Sequence, residues 1–144
     1  MVTGSIALAA AAMFAGAAFY INFAEHPARM YLPVDRAVQQ WRPSYKRGFA
    51  MQSILAIAGG VFAILTWYRG GGGAWLAGGL LLLANWPYTL MVIMPTNRQL
   101  SLPGAGEDPA SAELLRRWNR LHAVRTALGM VAVAAMIIGT LDWQ

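Results

Sequence analysis

Two histidines are the chain's readiest candidates for proton chemistry: His26, preceded by Glu25, and His122, three residues before Arg125. A neutral imidazole exchanges its proton near pH 7, so either ring can act as a general base. Arg125 and Asn97 supply donors suited to steadying negative charge that develops on a substrate oxygen. A second chemistry is open to the same residues. His26, His122 and Glu25 have the ligand types of a two-His-one-carboxylate centre holding one transition-metal ion, as in a non-haem oxidoreductase. Adjacent residues on an unbroken helix point about 100° apart, so joint ligation by Glu25 and His26 requires the helix to end at Pro27. The chain has no cysteine, which excludes disulfides, thiolate metal sites and cysteine nucleophiles.

The elements that must position these residues are membrane spans. Of 144 residues, 58% are hydrophobic and only 12% charged, about half the charge of an average soluble domain. The apolar residues fall in four runs, about 4–23, 49–67, 74–94 and 121–141, each near the ~20 residues that cross a bilayer core. The expected fold is all-α: a polytopic membrane four-helix bundle, up-down-up-down, forming a single domain over 1–144. The first run lacks the basic start of a signal peptide and reads as a retained span. The net charge of +5 does not point to nucleic acid, because the basic residues flank the apolar runs.

Those basic residues also orient the bundle. Loop 1 (about 24–48) carries Arg29, Arg36, Arg42, Lys46 and Arg47, and loop 3 with the start of span four carries Arg98, Arg116, Arg117, Arg120 and Arg125. Only Arg69 lies on the other side. The expectation is an integral protein of a bacterial-type inner membrane, with loops 1 and 3 cytoplasmic and both termini outside. Gly70-Gly71-Gly72-Gly73 is a flexible turn without the Lys-Ser/Thr of a phosphate loop. Within loop 1, Pro33 starts a short interfacial helix that presents Val34, Val38 and Trp41, and Pro43 ends it. In loop 3, Asp108 caps a helix with Pro109 at its first position. This cytoplasmic extension of helix 4 carries a stripe of Leu114, Leu115, Trp118 and Leu121.

Alanine and glycine at four-residue spacing (Ala7, Ala11, Ala15, Ala18; Ala56, Gly60, Ala63; Ala135, Gly139) allow close helix approach. Bundle packing is the preferred reading of these stripes, although they also suit a homo-oligomer. Counting back about 20 residues from Leu141 reaches His122, which puts Arg125 about one turn inside the membrane. An arginine at that depth either snorkels to the headgroups or faces inward toward partners. Pro87 should kink span three near Asn85, whose amide then serves the freed backbone or a substrate. At the polar end Asn22, Gln52, Asn85, Trp86, Tyr88 and Trp118 are the candidate substrate-binding residues. With Trp41 and Tyr45, the aromatic members form either a pocket wall or an interfacial belt.

Four strings resemble the anthrone oxygenase-like family of small four-span membrane proteins. They are Phe19 to Pro27 (FYINFAEHP), Asn85-Trp86-Pro87-Tyr88, Met94-Pro95-Thr96-Asn97 and Trp118 to Thr126 (WNRLHAVRT). Many members have no assigned function; the fungal ones are associated with oxidising anthrones to anthraquinones with molecular oxygen. The resemblance implies a membrane-embedded oxygenase acting on an anthrone-like or other hydrophobic aromatic small molecule, with no cofactor required. His122 would be its base, with His26 an alternative base or proton shuttle, and Arg125 and Asn97 would steady an enolate. Two other readings stand beside it. One is the metal-dependent oxidoreductase; the other is a non-catalytic membrane protein that binds a lipid-like molecule or scaffolds a partner.

Overall fold

In the computed structural model, which describes residues 2–141, four long helices follow the four apolar runs, with no strand among the described residues. The helices are α1 (Val2–Arg29), α2 (Val34–Tyr68), α3 (Gly73–Ser101) and α4 (Ser111–Leu141), each long and apolar enough to cross a bilayer. α1 and α3 each pack against both α2 and α4, closing the four into a ring. The turns after α1 and α2 are short, which makes sequential helices antiparallel neighbours.

Small side chains fill the membrane half of the interior. Ala7, Ala11, Ala18, Ala56, Ala63 and Ala132 are buried with Phe14, Trp75, Leu82 and Met136, while Ile54, Val61, Leu80, Met91 and Ile138 face outward. Lipid tails are as apolar as these side chains, so close backbone contact holds the helices together. A methyl group on Gly129 would lie 2.8 Å from the Phe14 ring, and one on Gly78 would lie 2.8 Å from Met136. Ala135, expected in this stripe, is only half-buried, and the inward face of α4 runs through Ala132 and Met136 instead.

A second core lies beyond the polar residues, toward loops 1 and 3. It joins Ala37, Val38 and Trp41 of α2, Ile93 and Leu100 of α3, and Leu115 and Trp118 of α4. Its formation corrects the expectation for loop 1. There is no separate interfacial helix, because the segment that starts after Pro33 runs unbroken through Pro43 to Tyr68. An internal proline costs about 3 kcal/mol. Against that cost, Val38 and Trp41 are buried and Trp41 stacks on Tyr45 across the proline, 4.8 Å between ring centres. Arg42 also donates to the carbonyls of Leu100 (3.3 Å) and Leu102 (2.6 Å), tying α2 to the end of α3. The α4 extension forms as expected. Asp108 Oδ1 accepts from the Ala110 amide at 2.8 Å, and the α-helix proper begins at Ser111.

Two helices are irregular where they pass the polar layer. α1 contains a π-helical turn at Ile21–Glu25, and α3 contains one at Thr89–Ile93. α3 also breaks at Ala84, where Pro87 cannot donate to the Leu83 carbonyl, as expected of the kink. Asn85 Nδ2 donates to Leu82 O at 3.1 Å, so this side chain does serve the backbone at the break.

Candidate active site

Between the two cores lies a layer of buried polar side chains that includes His26, Arg29, Gln52, Asn85, Asn97, His122, Arg125 and Thr126. The convergence expected at the polar end is therefore present. Its members nevertheless divide into groups with different partners.

His122 belongs to a network centred on Asn22. Asn22 Nδ2 donates to the Asn119 backbone oxygen (3.0 Å), an atom that can only accept, and to Asn119 Oδ1 (2.7 Å). This orients the amide, so Asn22 Oδ1 is the acceptor facing His122 Nδ1 (3.0 Å) and the Thr126 hydroxyl (2.6 Å). In the neutral imidazole the proton then sits on Nδ1 and the lone pair on Nε2, the state a general base requires. Asn22, expected among the substrate-binding residues, has its side chain engaged by Asn119, His122 and Thr126.

Arg125 does not snorkel. It is 6% exposed; its guanidinium donates to Gln52 Oε1 at 2.9 Å and lies 5.6 Å from the centre of the Phe14 ring. Among the described residues the ion pairs are Arg29–Glu25, Arg36–Asp35, and Glu113 with Arg116 and Arg120. None gives Arg125 a carboxylate. A buried cation held by one neutral amide and one ring is therefore available to an anion, and its Nε has no partner. Gln52 Nε2 is also without a partner, and both amide atoms of Asn97 lack a well-formed hydrogen bond.

These groups surround a small cavity of about 20 Å³, room for roughly one water. Its walls include Tyr45, Phe49, Gln52, Asn97, Trp118, His122 and Arg125. A second lobe of about 10 Å³ shares Phe49, Gln52 and Arg125 with it and adds Asn85, Trp86 and Thr89. The Arg125–Gln52 pair thus borders both. Of the expected aromatic residues, Tyr45, Trp86 and Trp118 are cavity walls. Trp41 backs Tyr45, and Tyr88 donates to Leu121 O at 3.0 Å, joining α3 to α4.

His26 is placed differently. Its ring lies 6.3 Å from the Trp118 ring, on which His122 stacks at 4.9 Å, and it is not among the cavity walls. Glu25 is taken up by Arg29, Gln40 and Ser44. Among the described residues no three His, Asp or Glu side chains come together as metal ligands, so the set His26, His122, Glu25 does not fit the metal centre its residue types suggested. Several site residues escape a reading of the sequence, namely Ile21, Ser44, Gly48 and Phe49 as walls, with Asn119 and Thr126 as supports. Asn119 and Thr126 were accessible from spacing, since they lie three residues before and four after His122 on one helical face. Ile21, Gly48 and Phe49 are apolar or small and carry no such signal.

The architecture defines a class of protein: a small integral membrane bundle whose interior holds an oriented imidazole and an uncompensated guanidinium. Comparison with known proteins names the family. The family model for anthrone oxygenase matches residues 41–135. The chain is also 31% identical to a protein of Claviceps purpurea described as anthrone oxygenase, over 96% of this chain and 88% of that one. The chain belongs to the anthrone oxygenase family, and membership supports an oxygenase-like role at the level of the family. No solved structure matches it.

Proposed function

We propose that this protein is a membrane oxygenase of hydrophobic aromatic molecules bearing an acidic C–H conjugated to a carbonyl, as in an anthrone. His122 Nε2 takes the proton from that carbon, and the electron pair moves to the carbonyl oxygen as an enolate. Arg125 and Asn97 hold the developing oxyanion, for which Arg125 has no competing carboxylate. The enolate carbon reduces molecular oxygen and forms a C–O bond to it. Loss of water from the resulting peroxide leaves a second carbonyl. One oxygen molecule is consumed and one water released for each CH₂ converted to C=O, and no resident cofactor is needed. Gln52, Asn85, Trp86 and Trp118 border the space in which the substrate's rings lie, with Tyr45 and Phe49 as further aromatic walls.

The observation that carries this reading is Arg125, a buried cation without a carboxylate, beside an imidazole whose Nε2 lone pair is fixed by Asn22. Purified, chelator-treated protein should accelerate oxygen uptake by an anthrone above its spontaneous oxidation, and His122→Ala should abolish the acceleration. Oxygen uptake at the spontaneous rate with the native protein would overturn the proposal. The arginine asymmetry of the loops supports placing this end of the bundle on the cytoplasmic side.

A further inference from the structure

The inner cavity is far smaller than the roughly 300–1,000 Å³ of a small-molecule site, so a substrate must open it. Toward loops 1 and 3 it is backed by the second core, in which Trp41, Leu100 and Leu115 are completely buried. Sideways the packing is different. A groove of about 550 Å³ runs between α1 and α2, from Ala17, Tyr20 and Met51 on its apolar stretch to Glu25, Gln40 and Arg47 on its polar one. Three residues, Ile21, Ser44 and Gly48, line both this groove and the inner cavity. They form the partition between the two. The partition is thin at Gly48, where a methyl group would meet only the tip of Ile21, at 4.0 Å. On the α1 side Ile21 opens the π-helical turn, where the regular hydrogen-bond ladder is interrupted.

We infer that the substrate reaches His122 and Arg125 laterally from the bilayer, through the α1–α2 groove and past Ile21 and Gly48. This inference rests on the proposed function for the substrate class, a planar hydrophobic aromatic with a polar edge. Such a molecule partitions into lipid, and the groove matches its division into an apolar body and a polar rim. Passage requires Ile21 to swing away from Gly48, and glycine leaves room for a flat ring system where any larger side chain would fill the gap.

The chain has no native cysteine, so a reversible block can be installed after folding. Gly48→Cys protein, reconstituted in phosphatidylcholine vesicles, is treated with benzyl methanethiosulfonate. Binding of anthraquinone, an unreactive tricyclic probe, is then followed by quenching of tryptophan fluorescence. Gly16→Cys serves as the control, because Gly16 is exposed on α1 with nothing within 4 Å of a Cβ placed there. Modification at 48 should slow binding at least about tenfold, with recovery on adding dithiothreitol, and modification at 16 should leave the rate unchanged. Equal rates for the two modified proteins, or no quenching in the native one, would overturn the lateral route. The binding rate does not depend on turnover. Loss of oxygen uptake with intact, Gly48-sensitive binding would therefore refute the chemistry and leave the route standing.

Discussion

Replacing Arg125 separates a functional from a structural role, because the two predict opposite balances of stability and activity. On insertion scales an arginine costs about 2.5–3.5 kcal/mol at the middle of a membrane helix, which is an upper bound for Arg125 about one turn inside. Here the cost is offset by a charge-assisted hydrogen bond to Gln52, worth about 1.5–3 kcal/mol. The Phe14 ring adds about 0.5–2 kcal/mol. The two sides nearly cancel, so the guanidinium contributes little net stability. Arg125→Met alone strands the Gln52 amide, whose Nε2 is already unpaired, at a cost of about 1–3 kcal/mol. Arg125→Met combined with Gln52→Leu removes both members, and its stability should return to within about 1.5 kcal/mol of the native protein. At roughly 3 °C per kcal/mol, that is a shift of about 5 °C or less in Tm. Turnover should behave otherwise. Loss of a main oxyanion donor lowers kcat by about 10²–10³, and the double variant should be as inactive as the single one. The assays are thermal unfolding in detergent and oxygen uptake with an anthrone, run on the same preparations. A double variant that unfolds far below the native protein would make the pair structural glue. One that retains a third or more of native kcat would refute the oxyanion role.

Two further outcomes follow from the site and the loops. Asn22→Leu removes the acceptor that orients His122 and should lower kcat about 10²-fold with KM little changed, as for a misaligned base; unchanged kcat would mean the imidazole needs no such support. For topology, Gly73→Cys after α2 should react with a membrane-impermeant maleimide on intact cells, whereas Pro103→Cys after α3 should react only once the membrane is opened; the reverse pattern would invert the arrangement proposed from the arginines.

The spans were legible because lipid imposes a length and a composition that four runs of this chain satisfy. The polar end was legible for a related reason, since ionisable residues within a membrane helix turn inward and meet one another. What spacing could not supply was partnership. Asn22, Glu25 and His26 fall within one five-residue stretch, yet Asn22 orients His122, His26 packs on Trp118, and Glu25 engages Arg29, Gln40 and Ser44. A one-residue difference in helical phase decides which neighbour each one meets, and the sequence fixes phase only where the helix is regular. Loop 1 shows the same limit from the other side. Pro43 is a helix breaker by local preference, but it lies inside α2 because Val38 and Trp41 are held in the second core, by contacts with distant segments of α3 and α4.

Prolines 27, 43, 87 and 95 all lie within the long helices but affect them in three different ways, and the differences account for where the site forms. Pro27 and Pro95 each follow a π-helical turn by two residues, and the residue before each, His26 or Met94, donates to the carbonyl five positions back, Ile21 or Thr89. A proline ring crowds the carbonyl four residues earlier, here Phe23 and Met91, the middle residue of each π turn. Widening the turn relieves that contact, so the same cause accounts for both irregularities. Pro87 acts instead on Leu83, where the helix ends and restarts, and Pro43 is absorbed without a break. Asn85, Trp86 and Asn97 lie within two positions of Pro87 or Pro95, and Ile21 and Asn22 sit in the turn before Pro27. Regular transmembrane helices satisfy their own backbone and present side chains at a fixed 100° interval. Loosening α1 and α3 at one level releases that interval, so Asn22 can meet α4 while Ile21 stays against Gly48. The prolines are therefore part of how this bundle brings an imidazole, a guanidinium and the α1–α2 groove to the same depth.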